Sequence, residues 1–134
     1  FEIGTRGPFN QARYQRLRMQ RLDSVVASRG WPPPDLIKID AEGAEGEIIA
    51  SVPAEWWERV DILGEVHGES AAEIVYETAQ ANKLTIFAQR LGWEPMTTRD
   101  QMPTHHTHGN IFITRKDFMP WGTSESELSD TATS

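Results

Sequence analysis

Two short polar runs, each directly after an apolar segment, are the part of this sequence best suited to chemistry. Residues 40–42 read Asp-Ala-Glu and follow the apolar residues 36–39, while residues 65–67 read Glu-Val-His and follow residues 62–64. A histidine has a pKa near neutrality and can take a proton from a hydroxyl group, and a carboxylate nearby can assist it. The candidate catalytic residues are therefore Asp40, Glu42, Glu65 and His67.

Each of these side chains also has a structural interpretation. Asp40 or Glu42 can cap the helix that follows, and His67 can be a packed, hydrogen-bonded histidine. Asp40 directly follows a buried strand, however, where a lone carboxylate is costly unless it has a partner or a ligand. Glu45 and Glu47 lie in the first turn of the next predicted helix, where acids favour the helix dipole, so we assign them a structural role.

The elements that position these residues are two strands of a parallel sheet. Leu36, Ile37 and Ile39 predict one buried strand and residues 62–67 predict a second, apolar at its start and polar at its end, with helical patterns between them that are interrupted at Pro53. In open parallel sheets, ligands bind outside the carboxyl ends of the strands. The two strand ends are therefore expected to bring the four candidate groups to one rim.

The flanking segments predict further elements of an α/β sheet. Alternation over residues 14–22 favours a strand, and Asp23-Ser24 offers an N-cap to a short helix over residues 25–29. Ser70 and Glu73 have the spacing of a capping box, which predicts a long helix running to Gly92.

The C-terminal part predicts an antiparallel hairpin and a tail. Residues 94–98 and 110–114 resemble strands with no helix between them, so we expect them to pair with each other. Residues 122–134 are rich in Ser, Thr and Glu and predict a disordered tail. The expected organisation is one domain over residues 1–121 followed by that tail.

The composition is that of one small domain without cysteine chemistry. The chain has 134 residues, no cysteine and a net charge of −7, so disulfides and cysteine zinc sites are excluded. No segment approaches the ~20 apolar residues that a membrane span requires, and no secretory signal pattern is present. We expect a soluble, cytoplasmic protein.

Charge is distributed unevenly along the chain. Residues 1–30 carry six arginines against two acidic residues, whereas residues 31–134 carry seven basic and eighteen acidic side chains. An acidic body argues against nucleic-acid binding, because phosphate binding requires Lys and Arg clustered on one face. The early arginines form either a patch for a small anionic ligand or a solvated face.

Metal binding is an alternative that the sequence leaves open at one place. His105, His106 and His108 have neither the spacing of a helical histidine pair nor that of a zinc finger, so we predict a solvated loop there. Three rim residues do form an oxygen and nitrogen ligand set that suits magnesium, manganese or iron: Asp40, Glu65 and His67.

Three motifs together resemble a known family. They are Lys-Ile-Asp-x-Glu-Gly-x-Glu at residues 38–45, Glu-x-His at residues 65–67 and Asn-x-Phe at residues 110–112. In this order they resemble the C-terminal half of FkbM-type S-adenosylmethionine-dependent methyltransferases, over roughly residues 17–116. The resemblance implies a Rossmann-like sheet and methyl transfer to a hydroxyl of a sugar, polyketide or related small molecule.

The resemblance also implies roles for the rim and a gap in the cofactor site. Asp40 would lie near S-adenosylmethionine, with His67 as the base and Asp40 as its orienter or substitute. The family's glycine-rich cofactor loop has no counterpart, since residues 4–7 read Gly-Thr-Arg-Gly, so we expect an incomplete fragment whose N-terminal strands are missing. The alternatives are a non-catalytic binding or assembly module and an acidic metal-dependent enzyme, and the oligomeric state stays open.

Overall fold

A computed structural model describes the backbone of residues 2–6 and 12–120 and the side chains of residues 16–120. The predicted tail at residues 122–134 and its boundary lie outside this part. Strands β1 (Glu2–Arg6) and β2 (Ala12–Arg16) pair antiparallel as a separate two-stranded sheet.

The remaining elements alternate between helix and strand before a strand-rich C-terminal part. In chain order they are α1 (Leu22–Ser28), β3 (Leu36–Ile39), α2 (Glu45–Ala50), β4 (Asp61–Glu65), α3 (Glu69–Ala81), β5 (Thr85–Ala88), β6 (Glu94–Pro95) and β7 (Asn110–Thr114). Three short 3-10 segments connect them, at Ala54–Glu58, Gln89–Leu91 and Arg99–Gln101. Strands β3 and β4 and the start of α2 confirm the predictions made from the apolar runs.

Strands β3 to β7 form one mixed sheet in the order β3-β4-β7-β5-β6. Strands β3 and β4 are parallel, and β7 is antiparallel to both of its neighbours, β4 and β5. Ile39 pairs with Gly64, so the carboxyl ends of β3 and β4 lie side by side. The chain is thus a mixed α/β structure in which two parallel strands end at a common rim.

Both faces of the central strands are buried. Ile111 and Ile113 of β7 join a core cluster with residues of α1, α2 and α3, whereas Phe112 alternates to the opposite face. Helices α2 and α3 approach closely because Gly46 has no side chain: a Cβ there would lie 2.9 Å from the Cβ of Ile74. This contact fixes the start of α2, where the site residues lie.

The predicted C-terminal hairpin is wrong. Residues 94–95 form β6 and pair with β5, while residues 110–114 form β7 and insert between β4 and β5. Apart from Asn110, every residue of β7 is buried, and burial on both faces is typical of a central strand. Placing this apolar run in the middle of the sheet buries more surface than an edge hairpin would.

The predicted long helix to Gly92 is also wrong. Helix α3 ends at Ala81, and residues 85–88 form β5 instead. The apolar residues of β5 continued the helical spacing, but Lys83 adopts a positive φ of 55° that ends the helix. The capping box does not form either, because α3 begins after Gly68 without a side-chain cap.

The N-terminal boundaries differ from the prediction as well. Strand β2 ends at Arg16, and Leu22 already belongs to α1 rather than to a strand over residues 14–22. Asp23 does not cap α1; its carboxylate accepts a hydrogen bond of 3.0 Å from the Arg21 guanidinium. The Asp23 carboxylate, which was expected to cap the helix, is thus paired with the Arg21 guanidinium instead.

Candidate functional site

The rim at the ends of β3 and β4 brings together residues that are distant in the sequence. One side-chain oxygen or nitrogen from each of Asp40, Glu45 and His67 lies within 4.8 Å of the other two. Asp40 is exposed, Glu45 is buried and His67 is half-buried. Two of the predicted catalytic residues, Asp40 and His67, therefore meet as the parallel-strand argument predicted.

Glu45 is the residue that the sequence argument missed. Its side chain is 0% exposed at the start of α2, and its carboxylate accepts hydrogen bonds from the backbone N–H groups of Ala41 and Gly43 at 3.0–3.2 Å. The carboxylate also lies 3.1 Å from Nδ1 of His67. A glutamate is almost never fully buried unless it is paired, and these contacts supply the partners of the Glu45 carboxylate.

The turn after β3 shapes the cradle for that carboxylate. Glu42 and Gly43 both adopt positive φ angles, of 51° and 107°, and a left-handed residue other than glycine is uncommon. This conformation turns the N–H group of Gly43 toward Glu45, and the N–H of Ala41 at the start of the turn donates to the same carboxylate. The exposed Glu42 thus contributes to the site through its backbone conformation as well as through its charge.

The environment of His67 favours its protonated form. Nδ1 faces Glu45 at 3.1 Å, and Nε2 lies 3.4 Å from a carboxylate oxygen of Glu65. The hydrogen bond to Glu45 raises the pKa of His67; burial opposes the rise, and the charges of Glu45, Glu65 and Glu42 add to it. All four predicted residues therefore either join the cluster or act on His67 electrostatically.

The pKa of Glu45 moves in the opposite direction. Burial is the largest influence and would raise it, but hydrogen bonds from Gly43, from its own N–H, from His67 and from Ala41 outweigh burial and lower the pKa. Glu45 is therefore held as a carboxylate. A carboxylate and a histidine with a raised pKa together form a charge-assisted pair.

A loop from the strand β7 side fixes the backbone around His67. The N–H of Val66 donates to the carbonyl of Gly109 at 3.0 Å, and the N–H of Gly68 donates to the carbonyl of Thr104 at 2.9 Å. Gly109 must be glycine here, because a Cβ would lie 2.6 Å from the carbonyl oxygen of His105. His67 is thus held between two anchored neighbours.

The predicted solvated loop contains the other three histidines. His105, His106 and His108 are all exposed, and the rings of His105 and His106 lie 4.0 Å apart. Within the described residues, the metal-compatible group is instead the rim cluster. Its third member is Glu45, where the sequence argument had placed Glu65.

A cleft of about 650 Å³ opens beside Asp40. It lies between β3, α1 and α2, and its apolar wall includes Met19, Leu22, Ile37 and Ile48. Asp40, Glu47 and Lys38 provide charged groups at the same cleft. The rim therefore adjoins a space large enough for a small-molecule ligand.

Comparison with protein families agrees with this arrangement. The family model for the methyltransferase FkbM domain matches residues 3–114, which includes every element of the five-stranded sheet and all rim residues. The chain belongs to the FkbM methyltransferase family. The resemblance drawn from the three motifs is thereby confirmed, and the match supports a methyltransferase. No curated protein and no solved structure matches the chain significantly.

Two further expectations, on membrane spans and on the early arginines, concern other parts of this FkbM domain. Among the residues that the structure describes, no helix is long and apolar enough to cross a membrane. Arg21, one of the early arginines, bonds to Asp23 and to the carbonyl of Ser51. Arg21, which the sequence analysis counted in a possible anion-binding patch, therefore makes contacts within the FkbM domain itself.

The Glu45–His67 pair gives the FkbM domain a defined pH dependence of stability. The lowered pKa of Glu45 stabilises the fold above the ordinary value of 4.5, and this contribution is lost as the pH falls through the lowered pKa. The raised pKa of His67 stabilises the fold below the ordinary value of 6.5, and this contribution is lost as the pH rises through the raised pKa. The pair therefore contributes fully only between these two values.

This window is measurable by urea unfolding of the wild type and a His67→Gln variant. We expect the difference in unfolding free energy to be largest at about pH 5.5 and to shrink by about pH 8.5, since deprotonation of the imidazole removes the ionic part of the pair. A difference that stays constant over this range would contradict the assignment.

Proposed function

We propose that this FkbM protein is an S-adenosylmethionine-dependent methyltransferase that methylates a hydroxyl oxygen of a small molecule. The observation that carries the proposal is the meeting of Asp40 and His67 at the ends of two adjacent parallel strands, beside the cleft. Ligands of open α/β sheets bind at such strand ends. The FkbM match supplies the reaction class.

The cleft offers part of a site for S-adenosylmethionine, although the glycine-rich cofactor loop has no counterpart in residues 4–7. Its volume of about 650 Å³ lies within the usual range for ligand sites. The carboxylates of Asp40 and Glu47 complement a cation, Lys38 complements a carboxylate, and the apolar wall suits an aromatic base. These residues would hold the cofactor, which supplies an electrophilic methyl group when bound.

The residues of the rim account for activation of the acceptor. Nδ1 of His67 faces the buried carboxylate of Glu45, whereas Nε2 faces the partly exposed Glu65 at the longer distance of 3.4 Å, so we propose Nε2 as the atom that takes the hydroxyl proton. Asp40 is exposed at the same rim and can accept a hydrogen bond from the acceptor hydroxyl. Removal of the proton as the oxygen attacks is the catalytic task that such a transfer requires.

The chemistry of the surface favours a small neutral or cationic acceptor. Residues 31–134 carry eighteen acidic against seven basic side chains, which disfavours a nucleic acid. Sugar and polyketide hydroxyls satisfy this condition, and we propose them as the acceptor class in a cytoplasmic setting.

A metal-dependent reaction at the same rim is the second candidate. The ligand atoms of Asp40, Glu45 and His67 are close enough to share an ion. Against this, the nearer oxygen of Glu45 already faces the N–H groups of Ala41 and Gly43 as well as His67. A metal would have to displace these interactions, so we favour the hydrogen-bonded arrangement.

The experiment is a methyl-transfer assay with S-adenosylmethionine labelled in its methyl group. The protein is incubated with a panel of sugars and polyketide alcohols, with and without EDTA, and the products are analysed by mass spectrometry and NMR. We expect acceptor-dependent release of S-adenosylhomocysteine, label on oxygen and no effect of EDTA. Label on nitrogen or carbon would refute the proposed acceptor atom, and loss of activity with EDTA would favour the metal-dependent alternative.

A further inference from the structure

We infer that Glu45 is a positioning residue that holds His67 in the tautomer with the proton on Nδ1, so that the unprotonated nitrogen is Nε2, which lies beside the partly exposed Glu65 and accepts the proton of the substrate. The kinetic part of this inference rests on the proposed function. The tautomer itself does not, because it follows from the contacts of His67 alone.

The two carboxylates beside the imidazole compete unequally for its proton. Glu45 lies 3.1 Å from Nδ1 and is 0% exposed, whereas Glu65 lies 3.4 Å from Nε2 and is 27% exposed. A hydrogen bond to a buried charge is stronger than one to a solvated charge, and an unpaired buried carboxylate is costly. The neutral imidazole therefore keeps its proton on Nδ1.

The position of the Glu45 carboxylate is fixed by contacts other than the one with His67. Its oxygens accept bonds from the N–H groups of Ala41 and Gly43. The next residue, Gly46, is packed against Ile74 and Ala71 of α3. The carboxylate is therefore a fixed acceptor, and the histidine ring takes its orientation from it.

The same carboxylate links the two halves of the rim. Ala41, whose N–H it accepts, lines the cleft beside Asp40, while His67 lies at the end of β4. One buried side chain thus joins the wall of the cleft to the proposed base. We therefore expect that loss of the Glu45 charge affects the orientation of His67 more than it affects the fold.

Four carboxylates from three elements and a turn surround His67. Glu45 from α2, Glu65 from β4, Glu42 from the turn after β3 and Asp40 from the end of β3 all face the imidazole or lie in its cluster. Among them, Glu45 has the contact with Nδ1. Glu65 is the competitor at Nε2, and Glu42 raises the pKa of the ring through its charge without contacting either nitrogen.

The test is nitrogen-15 NMR of the imidazoles in the wild type and in a Glu45→Gln variant. Glutamine keeps an oxygen for the N–H groups of Ala41 and Gly43 but removes the charge. We expect the wild type to show the Nδ1–H tautomer. The variant should show a lower pKa of His67 and a larger share of the Nε2–H form, because a neutral amide oxygen is a weaker acceptor for Nδ1–H than a carboxylate, while Glu65 still faces Nε2.

Two control variants separate the hydrogen bond from general charge effects. Glu65→Gln removes a charge at a similar distance from the ring but should leave the proton on Nδ1. Glu77→Gln removes a charge from the exposed side of α3 and should change neither property. A wild-type Nε2–H tautomer, or a Glu45→Gln spectrum identical to that of the wild type, would overturn the inference.

Kinetics distinguish this inference from the proposed function. Glu45→Gln should lower kcat about tenfold or more, a part of the ~10²–10⁴-fold that a positioned base contributes, with KM for S-adenosylmethionine within a few-fold. A tautomer change without any change in kcat would leave Glu45 as the positioning residue and refute His67 as the base. If Glu45→Gln leaves the tautomer unchanged while His67 variants have low activity, His67 remains the proposed base and Glu45 is not its positioning residue.

Discussion

Replacing His67 with alanine is expected to lower kcat about 10²–10⁴-fold, the contribution typical of a positioned general base. Affinity for S-adenosylmethionine should stay within a few-fold of the wild type, because the cleft lies on the Asp40 side of the rim. The measurement is steady-state kinetics with the acceptor found in the transfer assay, together with calorimetric titration of the cofactor. Glu77→Gln, an exposed position on α3, is the control and should retain wild-type rates.

Asp40→Asn belongs to the same experiment. It should also lower kcat strongly, and the double variant should lose less than the product of the two single losses, because groups that act as one unit are not additive. If His67→Ala instead destabilises the fold without a specific loss of rate, His67 is a packed histidine. The base would then have to be sought at Asp40 or Glu42.

Phe112→Ala is expected to cost about 3–5 kcal/mol of unfolding free energy, the range for removing a fully buried aromatic side chain. Phe112 is 0% exposed at the centre of the sheet, and its ring centroid lies 6.4 Å from that of Phe87 on β5. Since domains of this kind are stable by only about 5–15 kcal/mol, the variant should lose a large share of its stability. Urea unfolding measures the loss.

The control for this variant is a phenylalanine in solvent. Phe118 is 57% exposed, so Phe118→Ala should change the unfolding free energy by no more than about 0.5 kcal/mol. Equal losses in the two variants would contradict the central position of β7. A loss confined to Phe112→Ala would support the strand order β4-β7-β5.

Local patterns were sufficient for the part of the fold that carries the site. The apolar runs before Asp40 and Glu65 predicted β3 and β4, and their parallel order predicted that Asp40 and His67 would meet. These predictions succeeded because a buried strand and the polar residues at its end are adjacent in the chain. The family motifs are equally local.

The pairing of strands that are distant in the sequence could not be predicted from local patterns. Strand β5 continued the apolar spacing of α3, and β7 had no local feature that placed it between β4 and β5. Both outcomes depend on how much apolar surface the whole sheet buries, which is a property of the assembled core. The expected hairpin of residues 94–98 and 110–114 failed for this reason.

The sequence by itself determined the reaction family, the strands that end in acidic and histidine residues, and the candidates Asp40 and His67. Only the tertiary structure showed that Glu45 is buried and paired with His67, whereas sequence position alone presented it as a helix-dipole acid. Its partner His67 is 22 residues away, and one of its backbone donors, the N–H of Gly43, is oriented by the positive φ angles of Glu42 and Gly43. A buried carboxylate takes its function from the groups that surround it, and those groups come together only when β3, β4 and α2 are packed.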